Sequence, residues 1–295
     1  MPNDQKTGFL LAGAAFVFWG LTPFYFKAIS AVSPVETVAH RIIWSTVILA
    51  FFLLFINKNI FRNILHQLHR HGWVLGVGAV LLSVNWVTYI HAVVSDRVLE
   101  ASLGYFINPL VNVVLAAVFL NEKLTRMQKI AVFLAAVGVV QEVIRFGQIP
   151  TLALIMAGTF GVYGLLRKKA NIGGSEGLFI ETLLILPLAT AYLFYLQGDG
   201  RLAFGHQGIW ITCLLFSAGL ITTVPLIWFI SATKKLNYSI IGMMQYIAPT
   251  VMGLLGYWVY EEGFPPGRLI TFALVWSGLL LVVIESLGHM RARKY

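Results

Sequence analysis

The chain has 295 residues, of which 58% are hydrophobic and 11% charged, against about half and about a quarter in an ordinary soluble domain. That composition excludes a water-soluble globule. The formal charge of +9 does not point to nucleic acid either, since base readers need a soluble basic face with interleaved aromatics, and here Lys and Arg are scattered through short connections.

A membrane-crossing helix needs about 20 mainly apolar residues, and the sequence predicts ten: 8–28, 35–56, 72–93, 99–120, 128–144, 150–166, 177–196, 209–233, 238–260 and 268–287. The first follows a tail too weakly basic for a secretory signal and is long enough to stay in the membrane. The longest connections, 57–71 and 197–208, are too short for a folded extramembrane domain. His66, His69 and His71 in the first of these read as part of a solvated basic loop, not as a metal site. The lone cysteine, Cys213, sits in an apolar run, so no intramolecular disulfide is available. With both termini placed in the cytoplasm, fifteen of the 21 Lys and Arg fall on the cytoplasmic side and five opposite, leaving Arg41 within span 2; this is the bias that sets orientation.

Polar groups inside the spans are candidates for function, because hydrocarbon tolerates them only against protein, water or ligand. On span 2, Ser33-Pro34-Val35-Glu36 matches a capping box with proline at the first helical position, and His40 lies one turn further on. Asn85 and Tyr89 share a face of span 3 beside Trp86. Span 4 carries Ser102, Tyr105, Asn108 and Asn112 three or four residues apart, with Pro109 interrupting the hydrogen-bond ladder. Gly158, Gly161 and Gly164 on span 6 suit close backbone approach. Span 9 presents Gly242, Gln245, Tyr246 and Pro249, while Trp19, Tyr163 and Trp228 add aromatic surface from spans 1, 6 and 8. Rings with polar tips suit an amphipathic, planar solute; the competing reading of each residue is packing or interhelical bonding. Arg41 in span 2 and Glu181 in span 7 are the charges to explain, either as partners of a substrate group or as locally paired ions. Glu181, His40 and His91 are the protonatable groups available for proton coupling.

Shifting the chain by 140 residues pairs Pro109 with Pro249, Glu122 with Glu262, Gly138 with Gly278, Glu36 with Glu176 and Phe106 with Tyr246. One register from the first helix to the last indicates a duplication, with units at 1–147 and 148–295. Each unit has five spans, an odd number, so the second enters the bilayer from the opposite side. The fold expected is an all-α integral membrane protein of ten helices in two inverted repeats, an architecture of secondary transporters with sites between the halves.

The segment 99–112 (LEASLGYFINPLVN), with Asn121-Glu-Lys-Leu124 and Gln128 after it, resembles the signature of RarD-type proteins in the EamA branch of the drug/metabolite transporter superfamily. Phe18-Trp-Gly20, His40-Arg-Ile-Ile-Trp44, Asn85-Trp86, Thr222-Thr-Val-Pro225 and Gln245-Tyr-Ile-Ala-Pro249 extend the resemblance over essentially the whole chain. Asn121 and Glu261 depart from it, both standing where the family often has glycine. The resemblance implies a bacterial inner-membrane exporter with a cavity lined by helices 1, 3, 4, 6, 8 and 9.

The expected function is therefore secondary active transport, outward, of small metabolites, amino acids or amphipathic drugs, by alternating access. The partners expected are a small-molecule substrate, membrane lipid, and a proton or counter-solute, in a monomer or homodimer. No phosphate-binding loop is present, which excludes ATP hydrolysis on this chain. No cofactor motif is present, and the His-Glu-x-x-His and Gly-x-Ser-x-Gly patterns of intramembrane enzymes are missing. The alternatives are an intramembrane enzyme and a membrane sensor or partner subunit, the latter disfavoured by the absence of a soluble output domain.

Overall fold

The computed structural model describes residues 2–56, 60–120, 124–145, 149–170, 173–233, 235–236, 244–263 and 267–292. Among them are ten helices and no strand: α1 (Pro2–Ala28), α2 (Pro34–Ile56), α3 (Ile60–Val94), α4 (Val98–Phe119), α5 (Arg126–Arg145), α6 (Thr151–Ala170), α7 (Gly174–Gly198), α8 (Ile209–Thr233), α9 (Ile247–Trp258) and α10 (Arg268–Ala292). Six of them, α1 to α4, α7 and α8, contain stretches long and apolar enough to cross a membrane. Large apolar side chains such as Phe133, Leu188, Phe216 and Leu280 point outward, as they must where the surrounding solvent is hydrocarbon.

Two segments differ from the sequence expectation. The stretch 57–71, expected as a loop, is helical from Ile60 onward and continues into α3 through a bend at His71 (φ −129°, ψ 17°). Ile60 and Ile64 are buried and Leu68 packs beside them, an i, i+4, i+8 stripe that docks this stretch of about three turns on the bundle while Arg62, His66 and His69 stay exposed. Among the described residues no group of three His, Cys, Asp or Glu is placed to hold a metal. The second difference is at span 9. The described helix starts at Ile247, after a turn at Gln245 and Tyr246. Pro249 accounts for the break, since its ring occupies the space where the carbonyl of residue 245 would accept a helical bond. Residues 238–243 of the expected span, Gly242 included, lie outside the described residues.

The helices pack crosswise between the two halves of the chain. α1 lies on α8 and α9, α2 on α7 and α8, α3 on α6 and α7, α4 on α6 and α9, and α5 on α10. Adding five to each label turns α1 on α8 into α6 on α3, α1 on α9 into α6 on α4, and α2 on α8 into α7 on α3, all of which occur. The pairs α2 with α7, α4 with α9 and α5 with α10 map onto themselves. The last pair is reciprocal in atomic detail. A Cβ at Gly138 would sit 3.3 Å from the Thr271 carbonyl oxygen, and a Cβ at Gly278 would sit 2.8 Å from that of Ala131; residues 131 and 271 are themselves 140 apart. Of the three glycines on α6, Gly161 alone makes such an approach, with Val111 Cγ1 2.6 Å from where a Cβ would be.

One end of the bundle is tied by carboxylates that cap other segments. Glu262, just beyond α9, accepts hydrogen bonds from the Val98 and Leu99 amides at the start of α4, both at 2.7 Å. These are amides that a helix N-terminus leaves without an internal partner. Burial raises the Glu262 carboxyl above the usual glutamate range, while the two amides and Lys27 pull it back down. Glu100 accepts from the Leu152 amide at the start of α6 (2.9 Å) and pairs with Arg97. Glu36 accepts from the Ala203 amide (2.8 Å) in the α7–α8 connection. Lys27 pairs with Asp96 at the same end. Glu261 has φ 51°, and the Glu262 amide bonds back to the Gly256 carbonyl (2.9 Å), a left-handed C-terminal cap that glycine enters without strain. This is the physical reason a glycine suits that position.

Two outcomes are expected. Gly278→Leu forces α10 away from α5 and lowers thermal stability in detergent by about 1–3 kcal/mol, whereas Gly158→Ala, which meets open space, leaves it unchanged or higher. Glu262→Gln retains one acceptor and turns a donor toward the second amide, so hydrogen exchange at the first turn of α4 quickens by about tenfold or more; unchanged protection there would show that the cap does not hold this end.

Candidate functional site

The sequence places one arginine in the interior of a span, and the packing brings aromatic groups of three helices around it. Arg41 on α2 donates from Nε to Thr222 Oγ1 on α8 at 2.7 Å. Its guanidinium carbon lies 3.9 Å above the Trp86 ring of α3 and 6.0 Å from the Phe26 ring of α1. Tyr89, three residues beyond Trp86 and on the same side of α3, shares a 2.7 Å hydrogen bond with Thr22 Oγ1. Its ring stands edge-on to Phe26 (5.6 Å) and Tyr105 (5.8 Å). The phenols of Tyr25, Tyr89 and Tyr105 all lie close enough to interact with the arginine charge.

Among the described residues Arg41 makes no other hydrogen bond, and no carboxylate there is within ion-pair distance of it. It keeps some accessible surface even though protein surrounds it. A cation over an indole gains about 2 kcal/mol where water is excluded, while an ion left unpaired in a low-dielectric interior costs several kcal/mol. The protein alone therefore leaves Arg41 short of a counter-charge.

Glu181 is the opposite case. On α7, 1% exposed, it accepts from the Tyr163 hydroxyl at 3.0 Å and lies 3.5 Å from Arg167 Nη1. Arg167 is anchored in turn by the Gly173 (2.9 Å) and Gly174 (3.1 Å) carbonyls. Gly78 lets α3 approach, since a Cβ there would lie 3.1 Å from Glu181 Oε1. Trp86 and Glu181 both line a cavity of about 10 Å³ with Ile42, Ser83 and Thr182, room for about one water. Trp86 thus touches both the Arg41 guanidinium and the cavity that Glu181 lines.

The remaining predicted residues disperse. Asn85 donates to the Met156 carbonyl (2.9 Å) and Thr159 Oγ1 (3.2 Å), joining α3 to α6. Trp19 packs on Phe16 and Phe229, and Trp228 meets Phe18. Tyr246 stacks on Phe106 at 6.0 Å between α9 and α4. Ser102 donates to the Pro249 carbonyl (2.8 Å). Asn108 is buried with its Oδ1 unpartnered, and Gln245 stays half-buried at the break before α9. His40 is buried, stacked on Phe204 at 4.8 Å and 3.9 Å from Glu36, while His91 is exposed. A wider cavity of about 420 Å³ lies along the outer face of α5, lined by Phe133, Val137, Val140 and Ile144, and includes none of the predicted residues.

Sequence reasoning missed Thr22, Thr222, Tyr25, Phe26 and Arg167. For Thr22 and Thr222 the signal was a hydroxyl deep in an apolar span. For Arg167 it was the four-residue spacing from Tyr163, which puts both on one helix face, although its basic neighbours made it look like a loop residue.

A model of the EamA-like transporter family matches residues 6–141. An uncharacterized transporter of Vibrio cholerae serotype O1 is 42% identical over 99% of this chain and 97% of its own. Protein RarD of Escherichia coli strain K12 is 40% identical over 98% of both chains, and the chloramphenicol-sensitive protein RarD of Pseudomonas aeruginosa is 30% identical over 96% of both. A solved crystal structure with 17% identical residues superposes with a TM-score of 0.64 over 94% of this chain and 97% of its own, which carries the fold alone. Taken with the apolar helices, these relatives make the chain a multi-pass membrane protein of the transporter class. The chain belongs to the EamA-like transporter family, as a RarD-type member of it.

Proposed function

We propose that this protein is a secondary active exporter whose two five-helix units, 1–147 and 148–295, are inverted repeats that alternate access to a central site. The observation that carries this reading is the reciprocal contact of α5 with α10, where Gly138 meets Thr271 and Gly278 meets Ala131, within a packing order that repeats when five is added to each helix label. A pair of units related by a two-fold axis in the membrane plane produces that pattern, and rocking of one unit against the other exposes a midplane site to each side in turn.

The substrate is a small metabolite, amino acid or amphipathic drug, held among Trp86, Tyr89 and Tyr105, with Gln245 at the break in the repeat-equivalent helix. A proton or exchanged solute supplies the driving force. The protein sits in the bacterial inner membrane with both termini cytoplasmic, on the Lys and Arg bias of its connections. In that orientation the end capped by Glu262, Glu100 and Glu36 faces outward. Its many ties support a state closed on that side.

Counterflow exchange in proteoliposomes tests the reading without knowledge of the coupling ion. Folded protein is expected to exchange one chemical class of solute, and Tyr105→Ala and Gln245→Ala to reduce the rate about tenfold or more while expression and thermal stability persist. Exchange unaffected by either variant would remove both residues from the site, and no exchange across amino acids, aromatic metabolites and drugs would overturn the carrier reading for those solutes.

A further inference from the structure

Arg41 is the feature that neither packing nor the transport reading explains. The other charges at depth are settled within the protein. Glu181 has Tyr163 and Arg167, Glu100 has Arg97 and the Leu152 amide, and Glu36 has the Ala203 amide. Arg41 has one threonine hydroxyl at Nε and an indole face at 3.9 Å. Its two η nitrogens, the prongs of a fork that matches a carboxylate in two parallel bonds, bond to nothing among the described residues. Indole and phenol rings of α3 and α4 stand around it, with the Tyr89 hydroxyl turned to Thr22.

We infer that the substrate of this carrier is an organic anion, a carboxylate on an aromatic body, whose carboxylate is held by the Arg41 fork while its ring lies against Trp86, Tyr89 and Tyr105. This rests on the transport reading and narrows its substrate class. The same electrostatics disfavour the other classes. A cationic drug meets an unscreened positive charge. A zwitterion needs an anionic partner for its ammonium, and Glu181 is already engaged by Tyr163 and Arg167.

The guanidinium is a poor structural element and a good ligand. An unpaired ion is unfavourable in the empty protein, so Arg41→Gln is expected to leave the unfolding temperature of purified protein equal or higher. A structural arginine would show the reverse. Ligand binding is read separately, as the rise in unfolding temperature in detergent with indole-3-acetate, phenylacetate and 4-hydroxybenzoate, each compared with its uncharged amide and its amine analogue. A ligand that binds only the folded state stabilises it in proportion to the logarithm of its concentration over Kd. The carboxylates are expected to stabilise the wild type and the amides and amines not to. Arg41→Gln is expected to weaken carboxylate binding about tenfold to a hundredfold, and Arg41→Lys, which keeps the charge but loses the fork, to fall between. Equal stabilisation by amide and carboxylate, carboxylate binding unchanged in Arg41→Gln, or tighter binding of the amine or the matching amino acid would each overturn the inference. Because binding is measured without transport, carboxylate binding that needs Arg41 but is followed by no counterflow would overturn the carrier reading and leave this site standing.

Discussion

Inside a bilayer no water is available to solvate a backbone amide or a charge, so each must find its partner in the protein. Most of what is distinctive in this structure follows from that requirement. Helix starts carry orphan amides, and at one end of the bundle those of α4 and α6 are answered by carboxylates: Glu262 for Val98 and Leu99, and Glu100 for Leu152. Each cap joins parts of the chain far apart in sequence, so the groups that satisfy the helix ends also hold the helices together. The acidic residues are few, 12 in all, and those described at depth are placed where a helix end or a basic group needs them.

Close backbone approach is the second device. Without a hydrophobic drive between helices in lipid, association depends on packing and small residues, and Gly138, Gly161 and Gly278 stand where a Cβ would meet a neighbouring helix. The pairing of α5 with α10 through matched glycines leaves the centre of the molecule to the other helices. There, aromatic rings of α1, α3 and α4 surround a cation from α2 that α8 steadies through Thr222. Glu181 is engaged by Tyr163 and Arg167 and not by Arg41, so the two opposite charges coexist without pairing. That arrangement keeps the arginine available.

Much of the fold was legible in the sequence because the membrane leaves few options. Span 8 coincides with its helix at 209–233, and the 140-residue register pairs Gly138 with Gly278, each of which meets the other's helix closely, at Thr271 and Ala131. The capping box at Ser33 was half legible. The Glu36 amide does donate to Ser33 Oγ at 3.2 Å, but the carboxylate turns to Ala203 in a distant connection, which no local pattern encodes. The stretch 57–71 was misjudged because its polar residues dominate its composition, although Ile60, Ile64 and Leu68 already carried a helical period. At the site, residue type and depth marked Arg41, Trp86, Tyr89 and Tyr105. They did not distinguish these from Asn85 or Tyr246, whose partners are helices that the sequence does not place side by side.

On the organic-anion reading proposed above, the fixed position of Arg41 also bears on the charge that crosses the membrane. The guanidinium is tethered to α2 and held by Thr222 and Trp86, so it does not leave with the cargo. On that reading, an organic anion released from it would carry its own charge outward, and the transfer would be electrogenic. At an inside-negative potential each such charge gains about 2.3 kcal/mol per 100 mV, enough to sustain roughly a fiftyfold outward gradient. A carrier built this way would draw on the membrane voltage acting on the cargo itself, in addition to whatever the coupled proton or exchanged solute supplies.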